Sequence, residues 1–198
     1  MAYRDFTLEK IRNTFGIQFE TKKIFDNIIS LEPSDWLKET LERSKLFSLT
    51  TEKIRSEAVV FPILSEVKGK NVDSIQLFSG EVLNADKEMK LMGECDYIFS
   101  KNRGIPRLIA PLISVIEAKK ADIDIGIDQC SAQMVGILKF NETHNETVPI
   151  IYGCVTNSQE WRFLRFQNNT ITIDSDTYFI KELNTILGIF QFIVDSYR

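Results

Sequence analysis

Residues 112–120 read Leu-Ile-Ser-Val-Ile-Glu-Ala-Lys-Lys, and they join an apolar, β-branched run to a charged end. Such a run is typical of a strand that is buried on both faces. Because side chains alternate along a strand, Glu117 and Lys119 are expected on one face and Ala118 on the other. Two interpretations are open at this point. The charges are either solvated where the strand leaves the core, or they pair or bind a ligand, since unpaired buried charges are costly.

The composition is that of an ordinary globular protein. The chain has 198 residues, of which 43% are hydrophobic and 26% are charged, and its formal net charge is −4. This length suits one large domain, or one domain with an extension. The negative charge argues against a protein that coats nucleic acid through bulk positive charge, although a local basic groove remains compatible with it.

Cysteine and histidine usage indicates a cytoplasmic protein without zinc chemistry. Cys95, Cys130 and Cys154 have no metal-ligand spacing, and His144 is the single histidine. A zinc site or a histidine-based triad therefore has little support. The N-terminal residues lack the apolar region of a signal peptide, and no apolar run approaches the ~20 residues that span a bilayer. We expect a soluble, cytoplasmic chain with no membrane partner.

Helical patterns occupy the first third of the chain. Residues 1–49 are predicted to form a helical N-terminal extension, with one helix capped by Thr7 and another opened by Pro33-Ser34-Asp35. A third helix is predicted to begin near Thr50, with an apolar stripe at helical spacing and a kink at Pro62. Glu57 lies within that stripe. Its carboxylate is therefore either at the edge of the buried face or part of a site.

Strand patterns follow, with one helix between them and one after them. Asp96 lies within the second strand, where aspartate is disfavoured unless it is at an edge or has a function. Gln129 and Gln133 share a helix face, which is either solvated or directed at a site. The predicted strands are 75–83, 95–100, 112–119, 150–156, 161–166 and the edge strand 170–173, and the predicted helices are 127–140 and 178–197.

This order of elements and residues resembles the restriction-endonuclease-like nucleases, the PD-(D/E)XK superfamily. The similarity covers roughly residues 50–166 and is greatest to the nuclease domain at the start of type I restriction motor subunits and to related small bacterial proteins. The motifs that carry it are Ser56-Glu57, residues 61–64 and residues 115–120. Cys95 departs from the pattern, because a proline often precedes the family aspartate.

The resemblance implies an α/β (α+β) fold with a restriction-endonuclease-like core, in which a central mixed β-sheet is flanked by helices in the order αβββαβ. The core domain would span residues 50–198, with the last helix covering the sheet. It implies that Asp96, Glu117 and Glu57 hold Mg²⁺ or Mn²⁺. Lys119 would activate the attacking water, and Gln129 would complete the catalytic set.

The implied function is metal-dependent phosphodiester cleavage of DNA or RNA. Hard cations held by carboxylates neutralise phosphate and stabilise the leaving oxygen, and a neighbouring lysine adds positive charge. Candidate phosphate contacts, which are equally compatible with solvated loop charges, are Lys101, Arg103, Arg107 and Lys120.

Two alternatives remain open from the sequence. The first is a nuclease-fold module for binding or assembly that does not catalyse, since fold alone does not fix activity. The second is a structural partner of a larger complex that docks through residues 1–50 and the last helix. The oligomeric state also stays open between monomer and homodimer.

Overall fold

The computed structural model describes residues 3–102, 104–120 and 123–198. In these ranges a mixed sheet of eight strands lies between two layers of helices. The α/β class and the mixed sheet predicted from the sequence are confirmed. The helices are α1 (Leu8–Phe15), α2 (Asp35–Ser44), α3 (Glu52–Arg55), a π-helical segment (Ser56–Val60), α4 (Phe61–Lys70), α5 (Ile123–Thr143) and α6 (Leu183–Asp195).

The sheet has the order β1-β7-β6-β5-β4-β3-β2, and β8 pairs with β6. Its strands are β1 (Gln18–Thr21), β2 (Gln76–Asp86), β3 (Leu91–Ser100), β4 (Leu112–Ala118), β5 (Ile151–Thr156), β6 (Glu160–Gln167), β7 (Thr170–Ile173) and β8 (Tyr178–Phe179). The strands β2, β3 and β4 form the predicted antiparallel meander. β5 lies parallel to β4, as predicted, because α5 returns the chain across the sheet.

Each sheet face has its own apolar core. On one face, α5 packs with α1 and Tyr3 over residues such as Val115 and Val155. On the other face, α4 and α6 pack over residues such as Ile116 and Phe163. The last helix therefore covers its own sheet, as predicted, because six of its apolar side chains are buried there: Ile186, Leu187, Ile189, Phe190, Ile193 and Val194.

The predicted helical extension is incomplete, because residues 18–21 form a strand. β1 pairs in parallel with β7, so β7 is an internal strand and the prediction that it is an edge strand is wrong. β1 has only one half-buried position, Phe19, and thus lacks the apolar alternation that identifies a strand in a sequence. Backbone pairing with β7 forms this strand. The proposed boundary between residues 49 and 50 stays a prediction.

Three helices also differ from the predicted ones. The helix α5 spans Ile123–Thr143 rather than the predicted residues 127–140. The last helix begins at Leu183 rather than near Tyr178, because Tyr178 and Phe179 pair with β6 before a short 3₁₀ turn. At Pro62 the helix continues, and the π-helical segment lies directly before it. A proline removes one backbone donor, and the wider π turn accommodates that loss.

Candidate active site at the end of β3 and β4

Asp96 and Glu117 meet because β3 and β4 are antiparallel neighbours. Tyr97 pairs with Ile116, which brings the preceding residue of β3 beside the end of β4. The backbone N–H of Ala118 donates a hydrogen bond to Asp96 Oδ2 over 2.7 Å. This bond holds the Asp96 side chain against the strand that carries Glu117.

The alternation of side chains breaks at Asp96, and this break directs its carboxylate away from both cores. In a regular strand Cys95 and Tyr97 would share a face, yet they pack in the cores on opposite faces of the sheet. Across from Asp96 in the register lies Gly80, whose φ is +67°. That left-handed conformation favours glycine. At this point, therefore, the alternation of side chains between the two sheet faces reverses in both strands.

Glu117 is buried, with 2% of its surface exposed, and both of its carboxylate oxygens accept hydrogen bonds. Lys119 Nζ donates to Oε1 over 2.5 Å, and Gln133 Nε2 donates to Oε2 over 2.7 Å. Lys119 Nζ also donates to Gln129 Oε1 over 3.1 Å. The predicted common face of Glu117 and Lys119 is thus directed at α5, which supplies both glutamines.

Burial perturbs both carboxyl groups. Burial, and then the charge of Asp96, raise the pKa of Glu117 to about 7. Burial also raises the pKa of Asp96 above its usual range. Burial alone would lower the pKa of Lys119, but the charge of Glu117 and the hydrogen bond to it outweigh burial and raise that pKa. Lys119 therefore remains a cation at neutral pH.

The raised pKa of Glu117 predicts that the metal-free protein loses stability as pH rises. Between the ordinary pKa of 4.5 and about 7, the folded state keeps a proton that the unfolded chain has released. The stabilisation is complete below pH 4.5 and is lost as pH rises through 7. We expect the melting temperature of wild type minus that of Glu117→Gln to fall between pH 5 and 8, as measured by circular dichroism in EDTA. A pH-independent difference would contradict the burial argument.

A cavity of about 510 Å³ opens in front of Asp96. Its helical wall carries Glu52, Lys53, Ser56 and Glu57, which lie on one helix face. The Tyr97 hydroxyl and Ser56 Oγ are 2.6 Å apart, which ties this wall to β3. The cavity thus faces the strand end that carries the site. Its sheet wall is formed by Ser79, Gly80, Glu94, Asp96, Tyr97 and Ala118.

The structure places the predicted helix carboxylate, Glu57, on the wall of this cavity. The Glu57 side chain is 61% exposed and lies 3.9 Å from Lys53 Nζ. The two carboxylates whose charges raise the pKa of Asp96 are Glu52 and Glu94. Sequence reasoning missed both of them. Glu52 precedes the apolar stripe of its helix, and Glu94 has no local pattern that separates it from other strand glutamates.

The candidate phosphate contacts do not converge on the cavity. Lys101 follows β3 and bonds through its backbone to Pro111, so it lies at the opposite end of β4 from Glu117. Arg107 is exposed in the loop before β4, whereas Lys120 is exposed directly beside Lys119. Arg103 lies outside the described residues.

Close packing of α5 against β5 positions Gln129 and Gln133, and Gly126 makes this packing possible. A Cβ at Gly126 would lie 2.3 Å from Val155 Cγ1 and 3.0 Å from Lys119 Cγ. We expect Gly126→Ala to lower the free energy of unfolding by roughly 1–3 kcal/mol, measured by urea denaturation, because the helix must move. The matched control is Gly69→Ala in α4, where nothing lies within 4 Å of the new Cβ. It should be neutral or stabilising by about 0.5–1 kcal/mol, and equal losses in both variants would contradict this account.

The residues at this site fit a magnesium-class cation in chemistry. Asp96 and Glu117 offer oxygen donors at the end of two neighbouring strands. Mg²⁺ keeps several waters and is often held by one or two carboxylates together with substrate phosphates. In the described ranges, no group of three or more acidic, histidine or cysteine side chains is arranged to hold a metal ion. The carboxylates therefore suit a hydrated cation rather than a closed protein cage.

No described helix is long and apolar enough to cross a bilayer. Comparisons with protein-family models, with curated proteins and with solved structures gave no match to this chain.

Proposed function

We propose that this chain is a metal-dependent phosphodiesterase that acts on DNA or RNA and belongs with the restriction-endonuclease-like nucleases. The observation that carries the proposal is the joining of Asp96, Glu117 and Lys119 at the end of two neighbouring strands, beside an open cavity. A buried carboxylate such as Glu117 beside a half-buried one such as Asp96 is unfavourable unless a cation lies near them.

The residues divide the chemistry between them. Asp96 and Glu117 would hold a divalent cation, which when bound supplies charge neutralisation at the phosphate and the leaving oxygen. Lys119 holds its ammonium 2.5 Å from Glu117 Oε1, so a positive charge lies at the strand end that carries the two carboxylates. The raised pKa of Lys119 supports an electrostatic role for this side chain rather than that of a general base. Gln129 Oε1 accepts from the same ammonium and restricts where it can lie.

A nuclease-fold module for binding or assembly without catalysis is the second candidate, because the fold alone does not fix activity. Among the described residues that line the cavity, the four carboxylates Glu52, Glu57, Glu94 and Asp96 outnumber the one lysine, Lys53. Such a lining repels a polyanion unless cations are bound there. Both candidates therefore predict that nucleic acid binds only when divalent ions are present. They differ in whether the bound nucleic acid is cleaved.

The test is a panel of single- and double-stranded DNA and RNA incubated with the purified protein and Mg²⁺, Mn²⁺ or EDTA. Cleavage with Mg²⁺ or Mn²⁺ and none in EDTA is the expected result. The melting temperature should also rise with either ion, because binding to the folded state alone stabilises it. Ion-dependent binding without cleavage would support the binding module. A protein that shows neither a thermal shift nor cleavage would refute both candidates.

A further inference from the structure

Gln133 has no exposed surface, and its two amide atoms have unequal surroundings. Nε2 donates to Glu117 Oε2 over 2.7 Å, whereas Oε1 has no hydrogen-bond partner among the described residues. A buried amide oxygen without a partner is destabilising. Methionine has a similar volume and would avoid that cost. The hydrogen bond to Glu117 is therefore what distinguishes glutamine from an apolar residue at this position.

That hydrogen bond completes the fixation of the Glu117 carboxylate. Lys119 Nζ donates to Oε1 and Gln133 Nε2 donates to Oε2, so the carboxylate cannot rotate without losing a hydrogen bond. The terminal torsion of a glutamate is otherwise broad. Donors behind a carboxylate ligand orient it, and they commonly matter nearly as much as the ligand itself.

The two glutamines of α5 act on different charged groups. Gln129 accepts a hydrogen bond from Lys119 Nζ over 3.1 Å and lies partly exposed, whereas Gln133 donates to Glu117 and is fully buried. They are one helical turn apart, so a single rigid helix orients the carboxylate and the ammonium of the same strand.

We propose that Gln133 is a positioning residue that holds the Glu117 carboxylate in its functional orientation. This role rests on the proposed function and extends it to a residue without contact to substrate. Gln129 becomes the corresponding partner of Lys119.

The test compares Gln133→Met with wild type in three measurements: melting temperature, Mn²⁺ affinity by titration calorimetry, and the kinetic constants of cleavage. We expect a melting temperature close to that of wild type, because removal of the unpartnered Oε1 offsets the loss of the hydrogen bond to Glu117 Oε2. Mn²⁺ affinity and kcat should each fall about 10–100-fold, while KM for an oligonucleotide stays unchanged. A merely structural role would lower stability and leave the affinity of the folded protein intact.

Two further variants keep the test decisive. Gln133→Asn keeps an amide but is one methylene shorter, so it should lose Mn²⁺ affinity to the same extent even if Gln133→Met fails to fold. Ser131→Ala removes another buried, unpartnered oxygen from α5 and should retain wild-type affinity and kcat. Wild-type affinity and kcat in Gln133→Asn would overturn the positioning role and leave the proposed function standing. A wild-type protein that neither binds Mn²⁺ nor cuts would overturn the proposed function, and the positioning role with it.

Discussion

Asp96→Asn is expected to abolish both Mn²⁺ binding and cleavage while leaving the fold intact. The amide oxygen of asparagine can still accept the hydrogen bond that Ala118 N–H donates to Asp96 Oδ2 over 2.7 Å. The charge, however, is lost, and with it the more exposed of the two carboxylates, since Asp96 is half-buried and Glu117 is buried. Because a bound cation contributes several kcal/mol of transition-state stabilisation, cleavage should fall about 10³-fold or more.

The metal-free Asp96→Asn protein should be at least as stable as wild type. The charge of Asp96 is one of the causes that raise the pKa of Glu117, so its removal relieves a repulsion between buried groups. Titration calorimetry measures the expected loss of Mn²⁺ affinity. Melting curves in EDTA measure the stability of the metal-free protein, which should be unchanged or higher. The matched control is Asp73→Asn, an exposed aspartate outside the cavity, which should change neither. A variant with wild-type Mn²⁺ affinity would show that Asp96 is not a ligand.

Lys119→Met is expected to separate catalysis from metal binding. Among the described residues the ammonium is the one positive charge that contacts Glu117, and its loss should lower kcat about 10²–10³-fold, as for the removal of other preorganised groups at a transition state. Asp96 and Glu117 remain, and loss of the ammonium removes a charge that repels a cation, which offsets the lost hydrogen bond to Glu117 Oε1, so Mn²⁺ should still bind. For an enzyme, we expect Asp96→Asn to lose both Mn²⁺ binding and cleavage, and Lys119→Met to lose cleavage alone.

Lys119→Met should also destabilise the metal-free protein, in contrast to Asp96→Asn. Glu117 would keep a buried charge without its cation, a loss worth about 3–5 kcal/mol at most and less where the carboxyl takes up a proton. The variant should therefore melt lower than wild type, with the larger difference at the higher pH. Lys139→Met, which removes a surface lysine paired with Glu142 on α5, is the control and should keep full activity. Cleavage that persists in Lys119→Met would place the chemistry elsewhere.

Local rules were sufficient for much of the framework. Thr7 caps its helix as predicted, and the second helix begins at Pro33-Ser34-Asp35 as predicted, since a cap depends on residues within three positions. The apolar runs identified the central strands, and the helix between the third and fourth predicted strands required their parallel pairing. These features depend on spacing along the chain, and the sequence contains that spacing directly.

The strand β1 and the start of α6 were not predictable in the same way. Residues 18–21 lack an apolar pattern, and Tyr178 continues the apolar stripe of the following helix. In both cases backbone hydrogen bonds to a distant strand, β7 or β6, override the local preference. The partner strand lies far away in sequence for β1, so no local window includes it.

In the candidate site, too, some features follow from the local sequence and others from the tertiary structure. Alternation along one strand by itself determined that Glu117 and Lys119 share a face, and composition determined that the chain is globular and acidic. Only the tertiary structure decided that Asp96 leaves the alternation opposite Gly80, that Gln133 is buried against Glu117, and that Glu52 joins the cavity. Those three features depend on residues that are far apart in the sequence and close together in the fold, because burial and charge act through space.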